Sequence, residues 1–220
     1  ILLFLIQFGG LGIITITFLV LYFIIDIGFA AKVKVGKILE VESWQSLNKI
    51  IKTAFLVTLI SEIIGTVCVL PVFWREMSFG KALFYAFFHA VSSFCNAGII
   101  LPPYHLSTLS QYSYLFLIVT ALLMLAGGIG FLTWHEIMYA CTRYYQKKRH
   151  HFSLHTKIIG YGTTSIIIVS TAFFCLIERT LSFDSFNMPL TFLHALFCAV
   201  SAKSAGLLLV PIELLHPATI

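Results

Sequence analysis

The chain has 220 residues, is 59% hydrophobic and only 10% charged, and has a mean hydropathy of +0.97. Soluble domains carry about 25% charged residues, so the composition excludes one and indicates a polytopic, all-α membrane protein. The net charge of +5 does not imply nucleic acid. Ten of the fourteen basic residues fall in two connections, one holding Lys32, Lys34, Lys37, Lys49 and Lys52, the other Arg143, Lys147, Lys148, Arg149 and Lys157. Both read as cytoplasmic loops under the positive-inside rule, with anionic lipid contact as a secondary role.

The apolar stretch 1–25 is interrupted by Gly9-Gly10 and Gly12. It opens at Ile1 inside an apolar run, so the chain reads as an internal piece of a longer protein. A basic connection, 26–50, follows. A long span covers 51–74 and ends at Trp74-Arg75, an aromatic suited to a membrane interface. Next comes a short apolar helix over 82–94 that stops at Cys95-Asn96-Ala97-Gly98, with Pro102 and Pro103 just beyond. Thirteen residues reach only about 20 Å, against a hydrocarbon core of about 30 Å.

A polar connection at 100–112 leads into a third long span, 113–139, which carries Gly127-Gly128 and Gly130. The second basic loop, 140–155, precedes a fourth span over 156–177. A polar loop then leads to Pro189 and a second short helix, 189–202, which stops at Lys203-Ser204-Ala205-Gly206. With both basic loops inside, each short helix lies between an outward and an inward span. It must then enter and leave on the outer side, as a re-entrant segment.

The pattern repeats. Phe88-His89-Ala90-Val91-Ser92 matches Phe197-Cys198-Ala199-Val200-Ser201, and Ala97-Gly98 matches Ala205-Gly206 with one residue fewer between. Gly9-Gly10-Leu11-Gly12 matches Gly127-Gly128-Ile129-Gly130. Non-helical backbone at membrane depth is tolerated only where protein buries it or where it lines a wet cavity. Carbonyl oxygens in such loops replace the hydration shell of a cation. The negative C-terminal end of each short helix favours a cation as well. Residues 95–99 and 203–207 therefore read as filter segments, with Asn96, Ala97, Gly98, Ile99, Ser204, Ala205, Gly206 and Leu207 binding the ion.

These residues resemble a family. FFHAVSSFCNAGI is similar to the second pore segment of the Trk/Ktr/HKT potassium-transporter superfamily, and SAKSAGLL to its third. QFGGLGI and LAGGIGF resemble the inner helices that follow the filters. The resemblance implies four helix–pore-helix–filter–helix units around a pseudo-fourfold cation path. Here they would be the first unit's inner helix, a complete second unit over 51–139, and an incomplete third over 156–220. It implies K⁺ as the transported ion, no organic cofactor and no enzymatic step. It also implies a homodimer in the cell membrane that works with a cytoplasmic nucleotide-binding regulatory subunit. The third filter departs from the family, which commonly has Arg, Thr and an aromatic where this chain has Lys203, Ser204 and Leu207. Sodium or unselective monovalent cations are the alternative cargo.

Four residues read as filter support: Glu62, His89, Cys95 and Lys203. Glu62 is the only carboxylate deep in a span, where a buried charge is costly. It is placed to accept hydrogen bonds from backbone N–H groups of the pore helix or from His89. Lys203 stands just before a cation filter and must point away or find an acid. Trp134-His135-Glu136 lacks the second histidine of a zinc-protease motif, since position 139 is Tyr139. Two readings of other classes remain: an intramembrane enzyme using Glu62, His89 and Cys95, and a purely structural membrane subunit.

Overall fold

The computed structural model of the protein describes residues 1–10, 44–102, 114–147, 150–178, 188–207 and 209. Most of the expected inner helix 1–25 and of the connection 26–50 lies outside these residues. So do Pro103, the polar loop before Met188 and Pro211. Among the described residues every regular element is a helix, and there are seven. They are α1 (residues 2–10), α2 (Trp44–Trp74), α3 (Phe79–Phe94), α4 (Tyr114–Gly128), α5 (Phe131–Tyr145), α6 (Leu154–Glu178) and α7 (Met188–Lys203).

By length and apolar composition, Lys52–Trp74 within α2 and Leu154–Ile177 within α6 can each cross a membrane. Twenty-three residues extend about 35 Å as a helix, enough for the hydrocarbon core. The short helices α3 and α7 have 16 residues each and reach only about 24 Å.

The third long span differs from its sequence reading. Residues 113–139 were expected to form one inner helix, but α4 and α5 meet at a bend of 99°. The break sits at Ile129-Gly130. Gly130 has φ 87° and ψ 147°, a region that side-chain-bearing residues avoid. The corner is latched by Trp134, whose indole Nε1 donates to the carbonyl of Ala126 at 2.8 Å. That bond satisfies one of the carbonyls that the end of α4 leaves unpaired.

The core lies where α2, α3, α4 and α7 meet. Val69, Val72 and Phe73 of α2 pack with Ala82 and Ala86 of α3, Phe116, Leu117 and Met124 of α4, and Phe197 and Val200 of α7. Small residues on α3 let its backbone approach α2 closely, the usual device where lipid supplies no hydrophobic drive. The pairing of a long helix with a short one occurs twice, as α2 on α3 and as α6 on α7. On the other side of α3, Ile6 of α1 packs with Phe88 and Val91.

Candidate functional site

The loop after α3 begins with a helix stop. Asn96 adopts a left-handed conformation at φ 55°. Its N–H donates to the carbonyl of Ser93 at 3.2 Å, and the N–H of Ala97 donates to that of Ser92 at 2.8 Å. This is a Schellman motif with asparagine in place of the commoner glycine. The Asn96 amide also donates to the carbonyl of Phe94 at 3.3 Å, while its Oδ1 is buried without a partner. Downstream, Gly98 takes φ 66° and Gly206, in the loop after α7, takes φ 67°. The second loop starts in a related way: the carbonyl of Ser201 accepts from the N–H groups of Ser204 at 3.1 Å and Gly206 at 2.8 Å.

The two loops touch. A Cβ built on Gly98 would collide with the carbonyl oxygen of Ala205. Residues more than a hundred positions apart in sequence are thus brought backbone to backbone, with a glycine where one loop meets the carbonyl of the other. Ile99 and Leu207 end the two segments. The Ile99 side chain is exposed, whereas Leu207 is buried in the core.

Glycines of α1 and α4 also serve the loops. A Cβ on Gly127 of α4 would strike the carbonyl oxygen of Phe94, at the end of α3. A Cβ on Gly10 of α1 would strike the Cys95 side chain. Its counterpart in the repeat, Gly128, faces the Lys203 ammonium, with Nζ 3.7 Å from the Cβ position. In both copies the second glycine of a pair thus lies against the end of the short helix in the following unit.

The four support residues do not form one cluster. His89 is buried on α3 and stacks on Phe116 with ring centroids 4.8 Å apart. Its Nε2 lies 3.0 Å from Thr120 Oγ1 and 3.5 Å from Ser93 Oγ. The Thr120 hydroxyl also lies 2.7 Å from the carbonyl of Phe116. Through its pairing with Thr120, His89 joins α3 to α4. Glu62 meets a different partner from those expected: it is buried on α2 and hydrogen-bonds the side chain of Gln7 on α1. Gln7 had no place in the sequence reading. Cys95 is a free thiol against Gly10. Lys203 reaches the C-terminal end of α4, where its charge meets the negative end of a helix dipole.

Trp134, His135 and Glu136 part company as well. His135 Nδ1 lies 3.3 Å from Thr53 Oγ1. Glu136 accepts from the Ser153 N–H at 2.5 Å, from its hydroxyl at 2.6 Å, and from the Thr156 hydroxyl. It caps the N-terminus of α6 from α5. Among the described residues, no three His, Cys, Asp or Glu side chains gather as metal ligands.

A family model described as "TrkH: Cation transport protein" matches residues 1–220. The potassium/sodium uptake protein NtpJ of Enterococcus hirae is 31% identical to the chain over 208 residues. A Ktr system potassium uptake protein B of Vibrio alginolyticus is 30% identical over 209 residues, and one of Bacillus subtilis is 27% identical over 205. Each match covers 92% of this chain and 44% of the relative, so the chain spans less than half the length of these relatives.

Proposed function

The chain belongs to the TrkH family of cation transport proteins, and from that membership we propose that it carries part of a potassium-uptake path across the cytoplasmic membrane. Loops 96–99 and 204–207 contribute backbone oxygens that take the place of water around the ion. Two further segments complete the ring in a protein of the relatives' length. The ion moves down the membrane potential, which supplies about 2.3 kcal/mol per charge per 100 mV. A second copy of the protein and a cytoplasmic nucleotide-binding regulatory subunit belong to the same proposal.

The observation that carries this reading is the meeting of the two loops at Gly98 and Ala205. Two repeats far apart in sequence place matching Ala-Gly backbones side by side, next to the C-terminal ends of two short helices. Packing breaks without a shared role would not need to converge. Gly98→Ala tests it in the full-length protein, expressed in cells that depend on it for K⁺. The new Cβ meets a backbone carbonyl that cannot swing away, at a φ that alanine adopts at a cost of about 1–2 kcal/mol. K⁺ uptake should fall at least about tenfold with normal amounts of protein in the membrane. Undiminished uptake would refute the reading.

Sodium passage is the second reading. It is favoured by the relative named a potassium/sodium uptake protein. The same cells assayed with Na⁺ alone, and with the two ions in competition, separate the two.

A further inference from the structure

Serine and threonine hydroxyls inside helices usually bond back to a carbonyl four residues earlier. This chain follows that habit at Thr66, Thr120 and Thr142. Ser92 and Ser201 break it. Both are buried in the last turns of their short helices, at 1% and 3% exposure, and both reach forward. The Ser92 hydroxyl accepts from the N–H of Ile99 at 2.8 Å and donates to the carbonyl of the same residue at 2.8 Å. The Ser201 hydroxyl donates to the carbonyl of Leu207 at 2.7 Å. In each repeat the residue held is the one directly after the positive-φ glycine. Each serine also accepts a loop N–H on its own carbonyl, from Ala97 and from Gly206, both at 2.8 Å. A single residue therefore fixes both the start and the end of its loop.

We propose that Ser92 and Ser201 are positioning residues for ion discrimination. They turn the Ile99 and Leu207 carbonyls into the protein and so end the run of oxygens that a cation can use. The ion-facing set then shortens to the residues before Ile99 and Leu207. The spacing of that set is held by the two hydroxyls rather than by the loops' own stiffness. A filter that tells K⁺ from Na⁺ must resist closing around the smaller ion, and a pinned loop end supplies that resistance. The inference rests on the cation-path reading of the previous subsection. It predicts a larger role for Ser92, which makes two bonds, than for Ser201, which makes one.

The test compares Ser92→Ala, Ser92→Thr and Ser201→Ala in the full-length protein, reading K⁺ uptake, Na⁺ uptake and protein amount in the membrane. Ser92→Ala, which loses both hydrogen bonds to Ile99, should lower the K⁺-to-Na⁺ preference about tenfold while K⁺ uptake persists. Ser201→Ala should lower it about threefold, and Ser92→Thr, which keeps the hydroxyl, should restore it. A generally loosened protein would lose uptake of both ions together and would not be rescued in its preference by threonine. Wild-type preference in Ser92→Ala, with Gly98→Ala still abolishing uptake, overturns the role of the serines alone. Should Ser92→Ala not reach the membrane, wild-type preference in Ser201→Ala overturns it. Full uptake in Gly98→Ala removes the cation path itself, and this inference with it.

Discussion

At the scale of single residues, the glycines differ in what they make room for, and the differences set up a paired prediction. A Cβ at Gly127 would collide with the Phe94 carbonyl, whereas nothing lies within 4 Å of a Cβ at Gly9. Gly127→Ala should lower stability by about 1–3 kcal/mol through overpacking against a fixed backbone. Gly9→Ala should be neutral or stabilise by up to about 1 kcal/mol, since alanine favours a helix. Thermal unfolding in detergent measures both, and equal midpoints for the two variants would contradict the close approach of α4 to the end of α3. Glu62 and His89 follow a different logic. Each is a buried polar side chain that finds its partner on another helix, Gln7 on α1 and Thr120 on α4. Such bonds join helices where hydrophobic attraction contributes little, because lipid is as apolar as the helix surfaces.

Among the elements, the corner between α4 and α5 is the feature least visible in the sequence. Gly-Gly-Ile-Gly inside a continuous apolar run reads equally as a close-packing surface. Only the backbone angles at Gly130 and the Trp134 bond to Ala126 show a bend. By contrast, the stop after α3 was legible, because Asn-Ala-Gly ahead of two prolines opposes a helix on local grounds alone. The all-helical class followed from composition. The contact of Gly98 with Ala205 did not, since it joins positions far apart whose alignment depends on how α3, α4 and α7 pack. Ser92 and Ser201 stood in the visible repeat, yet nothing local shows that a hydroxyl reaches forward rather than back. The corner carries its own prediction. Gly130→Ala meets no atom, so its cost is backbone strain alone, about 1–3 kcal/mol. Trp134→Phe removes one hydrogen bond and should cost about 1 kcal/mol. Thermal unfolding of each variant, with helix content followed by circular dichroism, checks this. A Gly130→Ala protein as stable as wild type would mean that the backbone does not turn there.

On the scale of the whole molecule, the two long spans differ in what surrounds them. Within their most apolar windows, 39% of the α2 span is buried inside the protein but only 6% of the α6 span. Ile158, Ile166, Ile168, Val169, Phe173 and Leu176 leave α6 outward-facing, to meet lipid or other protein. Among the described residues, the α2–α3 pair packs against α1 and α4, and α7 lies between α4 and α6, while α6 packs on α7 and α5 and leaves most of its surface open. The candidate path shares this asymmetry. Two loops meet at Gly98 and Ala205, whereas a potassium filter of the known carbonyl type surrounds its ion with four. An ion held from one side keeps part of its water shell, and an ion that keeps its water is not selected by size. The 220-residue chain by itself, reconstituted in liposomes under a K⁺ gradient with a voltage set by ionophore, should give no K⁺-selective flux. A protein of the relatives' full length should give flux that Gly98→Ala abolishes. Selective flux through the 220-residue chain alone would mean that its two loops suffice, whether within one copy or by pairing copies, and the four-segment path would have to be abandoned.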